Sequence, residues 1–189
     1  MTIKRNEISY YPEIQSYIEK QIKSNFLAKK NTNINVYWEI GELKTKLQQI
    51  IAQHPQECNC VNSFASRVPP LNLDIFALIT DGLKFKLLIL EIKYLQRVGL
   101  KEWSQLVGYC LVSGAKYGLL INVDNGASQR LSDILTDEPH LSCIETTMNK
   151  HLLGFMQWDS LTKDFTYSNL GFIRTVSSLT DQLVVDFSN

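Results

Sequence analysis

Residues 73–95 read LDIFALIT-DG-LKFKLLILEIKYL, two apolar runs, Leu73 to Thr80 and Leu83 to Leu95, parted by Asp81-Gly82. Asp-Gly between apolar runs is a strong β-hairpin signal. A two-residue turn there places Thr80 opposite Leu83, and counting back places Asp74 opposite Ile89 and Asn72 opposite Glu91. Opposed residues share a sheet face, so Asp74 is expected beside Ile89, Glu91 and Lys93, with Glu91 its diagonal neighbour at roughly 7–8 Å between backbone positions. Parity decides this: a turn of odd length or a bulge would send Asp74 to the other face.

Outward from the hairpin, Trp103, Leu106, Val107, Cys110 and Leu111 give Leu100–Ser113 a helical period, closed by Gly114, and Tyr117–Val123 reads as a buried strand. Strand, helix and strand form a crossover unit whose strands pair in parallel. Toward the N-terminus, Pro12 followed by Ile14, Ile18, Ile22 and Phe26 predicts a helix over 12–28. Alternation of Ile34, Val36, Trp38 and Ile40 predicts a strand, and Leu43, Leu47, Ile50 and Ile51 a second helix from Glu42 to Gln53. The stretch His54–Pro70 is irregular, with room for a short strand. Beyond Asp124-Asn125-Gly126, the pattern suggests a helix over Ser128–Thr136 and a hairpin of Leu152–Trp158 with Asp164–Tyr167. The expected fold is α/β, a central mixed sheet flanked by helices, as one domain over 1–189 with core motifs in 70–123 and a C-terminal extension in 124–189.

Composition agrees with a globular chain. It is 44% apolar over 189 residues, and no run approaches the ~20 apolar residues that would span a bilayer. The start Met1–Glu7 is polar and lacks a signal-peptide core, so cytoplasmic residence and no membrane are expected. Cys58, Cys60, Cys110 and Cys143 need no pairing in a core of this size, and His54 with Cys58 and Cys60 lacks the spacing of common zinc sites. Net charge is zero, but residues 1–101 hold 14 Lys+Arg against 9 Asp+Glu, and residues 102–189 hold 5 against 10. The hairpin thus lies in the basic half, which suits a phosphate-facing surface.

Charge on a core strand needs partners or a ligand, because uncompensated burial is costly. Glu91 and Lys93 interrupt such a strand, and Asp74 lies on its neighbour. In this order, Asp74 near the start of one strand, Glu91-Ile92-Lys93 on the next, and Gln105-x-x-x-Tyr109 on the following helix resemble the PD-(D/E)XK superfamily of nucleases and nuclease-like proteins. No proline directly precedes Asp74, a departure from the usual pattern.

The resemblance implies a restriction-endonuclease-like core and a Mg²⁺-dependent endonuclease acting on DNA phosphodiesters, with Mn²⁺ able to substitute. Asp74, Glu91 and the Ile92 carbonyl would hold metal, Lys93 would orient or help deprotonate the attacking water, and Gln105 would position the site or contact the substrate backbone, with support from Tyr109. The family also tends to carry a Glu on a helix before the sheet, for which Glu13 is the choice, with Glu19 and Glu42 open. RNA as substrate and a non-catalytic nuclease-like module are the alternatives. With zero net charge and no helix-turn-helix or zinc finger, recognition is expected from a homodimer or a separate recognition subunit.

Overall fold

The hairpin forms, but its turn holds four residues rather than two. Thr80 pairs with Phe85, not Leu83, so Asp81–Lys84 make the loop. Asp81 explains this: its Oδ1 accepts from the backbone N–H groups of Leu83 and Lys84 at 2.9 and 2.8 Å, an Asx turn that competes with a tight hairpin turn. A two-residue type I′ turn needs positive φ at both central residues, and in this loop Gly82 (φ 91°) has it but Asp81 does not. The register moves by two residues, an even number.

This computed structural model describes residues 6–166 and 168–188. Met1–Arg5 of the polar N-terminus and Tyr167 of the C-terminal hairpin lie outside the described residues. The elements are α1 (Tyr11–Lys30), β1 (Asn35–Glu42), α2 (Leu43–Gln53), α3 (Asn62–Arg67), β2 (Asn72–Thr80), β3 (Phe85–Lys93), α4 (Leu100–Ser113), β4 (Tyr117–Val123), α5 (Gln129–Asp137), β5 (Cys143–Glu145), β6 (Lys150–Asp159), β7 (Asp164–Thr166) and α6 (Val176–Ser188). The fold is α/β around a mixed seven-stranded sheet in the order β1-β2-β3-β4-β6-β5, with β7 also paired to β6. β3, β4 and β6 run parallel, and β1, β2, β5 and β7 pair antiparallel to their neighbours.

Helices cover both faces. On one, Ile14, Ile18, Ile22 and Phe26 of α1 pack with Leu179 and Leu183 of α6 onto Ile75, Ala77, Leu88, Leu90 and Leu119. On the other, Leu43 and Leu47 of α2 and Trp103, Leu106 and Cys110 of α4 pack onto Phe76, Leu78, Ile89 and Leu120. α1 carries Pro12 in its first turn and stops where Asn31 turns left-handed (φ 50°) and donates to the Leu27 carbonyl. The segment 54–70 forms a 3₁₀ turn and α3 instead of a short strand, while β5 and α6 lie where the pattern suggested nothing. Among the described residues no helix is long and apolar enough to cross a membrane.

Candidate active site

Asp74, Glu91 and Lys93 meet where β2 and β3 part. Ile75↔Leu90 is the last pair of that ladder, so Asp74 and Glu91 are the next residues out on each strand, not diagonal neighbours. On the other side of β2, Glu39 pairs with Phe76 and Gly41 with Leu73, so Ile40 alone faces both Asp74 and Ile75. This doubled position is a β-bulge, which bends a strand and re-aims a side chain. The core records the same extra residue: Leu73 and Phe76, three apart, pack in one layer while Ile75 packs in the other. Convergence is therefore reached at a fork with a bulge, not by the simple parity of a regular hairpin.

Lys93 is the hub. Its Nζ donates to Asp74 Oδ2 at 2.9 Å, lies 2.6 Å from Glu91 Oε1 without the alignment of a directed hydrogen bond, and stands 3.8 Å from Glu7 Oε1. Glu91 is 0% exposed, and neither of its carboxylate oxygens has a hydrogen-bond partner among the described residues. Burial pushes its pKa up to about 7, with Asp74 adding to the rise and Lys93 opposing it. For Lys93 burial pulls the pKa down, but the contacts to Glu91 and Asp74 outweigh it and the net shift is upward. Lys93 is held as an ammonium by carboxylates, and Glu91 ionises against a desolvation penalty.

The third carboxylate is Glu7, which no spacing singled out. It sits on the 3₁₀ turn Glu7–Tyr10, whose N-cap Asn6 accepts from the Ser9 N–H, and it accepts from the Tyr11 hydroxyl at 3.0 Å. Burial, and then the charges of Asp74 and Glu7, raise the Tyr11 pKa, so this hydroxyl stays a donor. Tyr10 and Tyr94 pack at 5.6 Å between ring centroids, seating the turn beside the end of β3. Glu13, expected to join the site, points elsewhere: it pairs with Lys163 at 3.3 Å, because a residue two beyond Tyr11 on the helix lies on a different face. Glu19 accepts from Trp38 Nε1 at 3.0 Å and pairs with Lys23, and Glu42 caps α2 through the N–H groups of Lys44 and Thr45.

Gln105 and Tyr109 share a face of α4, and Gln105 Nε2 donates to the Tyr109 hydroxyl at 2.8 Å. Among the described residues no hydrogen bond joins Gln105 to Asp74, Glu91 or Lys93. Ile92 lies between the two charged residues of β3, its side chain fully buried in the α1 layer and its backbone paired with Ile121.

Among the described residues no three His, Cys, Asp or Glu side chains stand close enough together to hold a metal ion. The donor set of Asp74 and Glu91 is nonetheless of the type that suits a hard cation, all oxygen, and among the described residues the buried Glu91 Oε2 has no hydrogen-bond partner. Lys93 supplies the positive charge between them. No protein-family model, no curated protein and no solved structure matches the chain.

Proposed function

We propose that the chain is a metal-dependent endonuclease of PD-(D/E)XK type, hydrolysing DNA phosphodiester bonds at the fork between β2 and β3. The observation that carries this reading is the convergence of the fully buried Glu91 carboxylate and of Asp74 on Lys93, 2.6 and 2.9 Å from its ammonium. A carboxylate desolvated at this cost is the kind of perturbed group that clusters at reactive sites. The order α1, β1, β2, β3, α4, β4, with α2 and α3 inserted between β1 and β2, suits a restriction-endonuclease-like core, and the Gln105–Tyr109 pair supports it.

Asp74 and Glu91 would hold Mg²⁺, with the Ile92 carbonyl as a further oxygen, and Mn²⁺ would substitute. When bound, the ion supplies Lewis-acid stabilisation of the scissile phosphate and a more acidic water. Lys93 holds a proton beside both carboxylates and orients the attacking water. Glu7 draws on Lys93 from the other side and takes the part expected of Glu13. Gln105, held by its hydrogen bond to Tyr109, would contact the substrate backbone. With zero net charge, target recognition falls to a second copy or a separate subunit. DNA is the proposed substrate; RNA would share the phosphodiester chemistry.

A second reading, a non-catalytic nuclease-like module, is favoured by one observation: three carboxylates already lie within 4 Å of Lys93, as in a structural ion-pair cluster. Cleavage of plasmid, single-stranded DNA and RNA with Mg²⁺, alongside calorimetric Mn²⁺ titration, separates the two. The nuclease reading expects metal-dependent cleavage that falls at least about 100-fold in Lys93→Ala and Glu91→Ala. Inert nucleic acid together with no heat of Mn²⁺ binding would leave the module.

A further inference from the structure

At the other end of β3 lies a hollow of about 580 Å³ whose wall carries Arg67, Lys86, Lys116 and Lys150 but no Asp or Glu. Lys86 and Lys93 are seven residues apart on one strand, about 23 Å at a rise of ~3.3 Å per residue, so the hollow is separate from the fork. In a chain of zero net charge, four cations drawn from α3, β3, the residue before β4 and β6 form a local excess.

Two carboxylates partner three of these four cations. Asp186 stands 2.6 Å from Lys116 and 3.9 Å from Lys86, and it also accepts from the Tyr117 hydroxyl at 2.7 Å. One carboxylate thus serves two ammoniums. Burial holds the Lys86 pKa below that of an ordinary lysine; Asp186 opposes this, and Lys116 and Lys84 add to it. Arg67 donates to the Ser63 carbonyl, and among the described residues no carboxylate lies within ion-pair distance of it. Lys150 pairs with an exposed Glu145.

Two aromatic rings line the hollow from the α3 side; Phe85 points to the sheet face opposite its neighbour Lys86, so the hollow wraps round the end of β3. Phe64 and Phe85 pack with centroids 5.2 Å apart and planes at 53°, each half-buried. A second hollow of about 240 Å³, which shares Phe64 and Arg67, extends the first into a furrow.

We propose that this furrow binds single-stranded nucleic acid, its phosphates against Arg67, Lys86, Lys116 and Lys150 and its bases against Phe64 and Phe85. A basic groove with aromatic faces is the general solution for a single strand, because every base has a π-face and every linkage a negative charge. An acidic peptide would use the charge but not the rings, and a lone phosphate would leave most of the furrow empty.

The test is fluorescence anisotropy of a labelled ten-nucleotide single strand with the full chain in EDTA, across a salt series. For about three to four phosphates, log K against log salt has a slope on the order of −2 to −3. Arg67→Ala/Lys150→Ala, both at exposed positions, flattens that slope by about 1.4 and weakens low-salt binding at least about tenfold. Phe64→Leu weakens binding about fivefold or more with the slope unchanged. Lys23→Ala, which removes an exposed cation outside both the fork and the furrow, binds as wild type, so binding here is told apart from a general loss of charge. Thermal melting checks each fold, and the Arg67/Lys150 pair decides should Phe64→Leu unfold early. The proposal is overturned by wild-type affinity and slope in the double variant, or by an equal loss of binding in Lys23→Ala. Competition as effective from inorganic phosphate, poly-glutamate or a duplex of the same length also overturns it.

Discussion

Glu91 carries its charge against burial, and pH reveals the size of that opposition. Its folded pKa of about 7 lies above the ordinary 4.5, so the native state holds the proton more tightly than the unfolded chain. The associated stability is fully present below about pH 4.5, falls as pH rises toward 7 and changes no further above that; at about 1.4 kcal/mol per pKa unit the loss is on the order of 3 kcal/mol. Urea unfolding at pH 5 and pH 8 should show this loss in wild type and not in Glu91→Gln; an equal loss in both assigns it to another group. Glu7 and Glu13 provide a second comparison. Glu7→Gln is expected to lower cleavage about tenfold at fixed Mg²⁺, and Glu13→Gln, whose partner is Lys163, to leave it within about twofold. The reverse order would restore Glu13 to the site. Asp74, Glu91 and Lys93 were legible because ionic residues stand out on apolar strands. Glu7 was not, since it precedes the periodic helix on a 3₁₀ turn whose one local sign is the Asn6 cap.

At the level of elements, strand-helix-strand from 85 to 123 was plain from period alone, because its segments are long and bounded by Gly99 and Gly114. Three others were hidden by competing physics. Asp81 lengthened the hairpin turn by binding backbone amides. The 54–70 stretch lacks a sustained period because its helical pieces are short, Asn59–Val61 and Asn62–Arg67. α6 is rich in Val, Ser and Thr, weak helix formers, and is supported by packing on α1, where Phe26 meets Phe187 at 5.6 Å. Its reciprocal Thr175 and Ser178 contacts, Ser178 N to Thr175 Oγ1 at 3.0 Å and Thr175 N to Ser178 Oγ at 3.1 Å, are the start signal that could have revealed it. The tightest junction joins β6 to the segment before α6: a Cβ on Gly154 would stand 2.0 Å from the Ile173 carbonyl oxygen, backbone against backbone. Gly154→Ala should therefore cost about 3 kcal/mol or more, measured by chemical denaturation. A cost under about 1 kcal/mol would mean that the segment can move away from the strand.

For the molecule as a whole, the sheet separates two packing layers, one holding Ile18 and the other Leu106, both fully buried. Ile18→Ala and Leu106→Ala should each cost about 2–5 kcal/mol, and the double variant should match their sum within about 0.5 kcal/mol. A larger discrepancy in urea melts would show that the sheet transmits strain between layers. Charge also reads differently here than along the chain. The basic N-terminal half was a division by residue number, whereas the furrow takes Arg67 and Lys86 from that half and Lys116 and Lys150 from the acidic one. The extra residue in β2 bears on every variant of this sheet. Because β2 is zipped to neighbours on both sides, deleting one residue between Leu73 and Phe76 would even out its seam with β1 while swinging the acid away from the ammonium. Where that negative charge comes to rest is set by a count between two greasy anchors, so a chain shortened by Ile75 keeps Asp74, Glu91 and Lys93 in its sequence and still misplaces its chemistry.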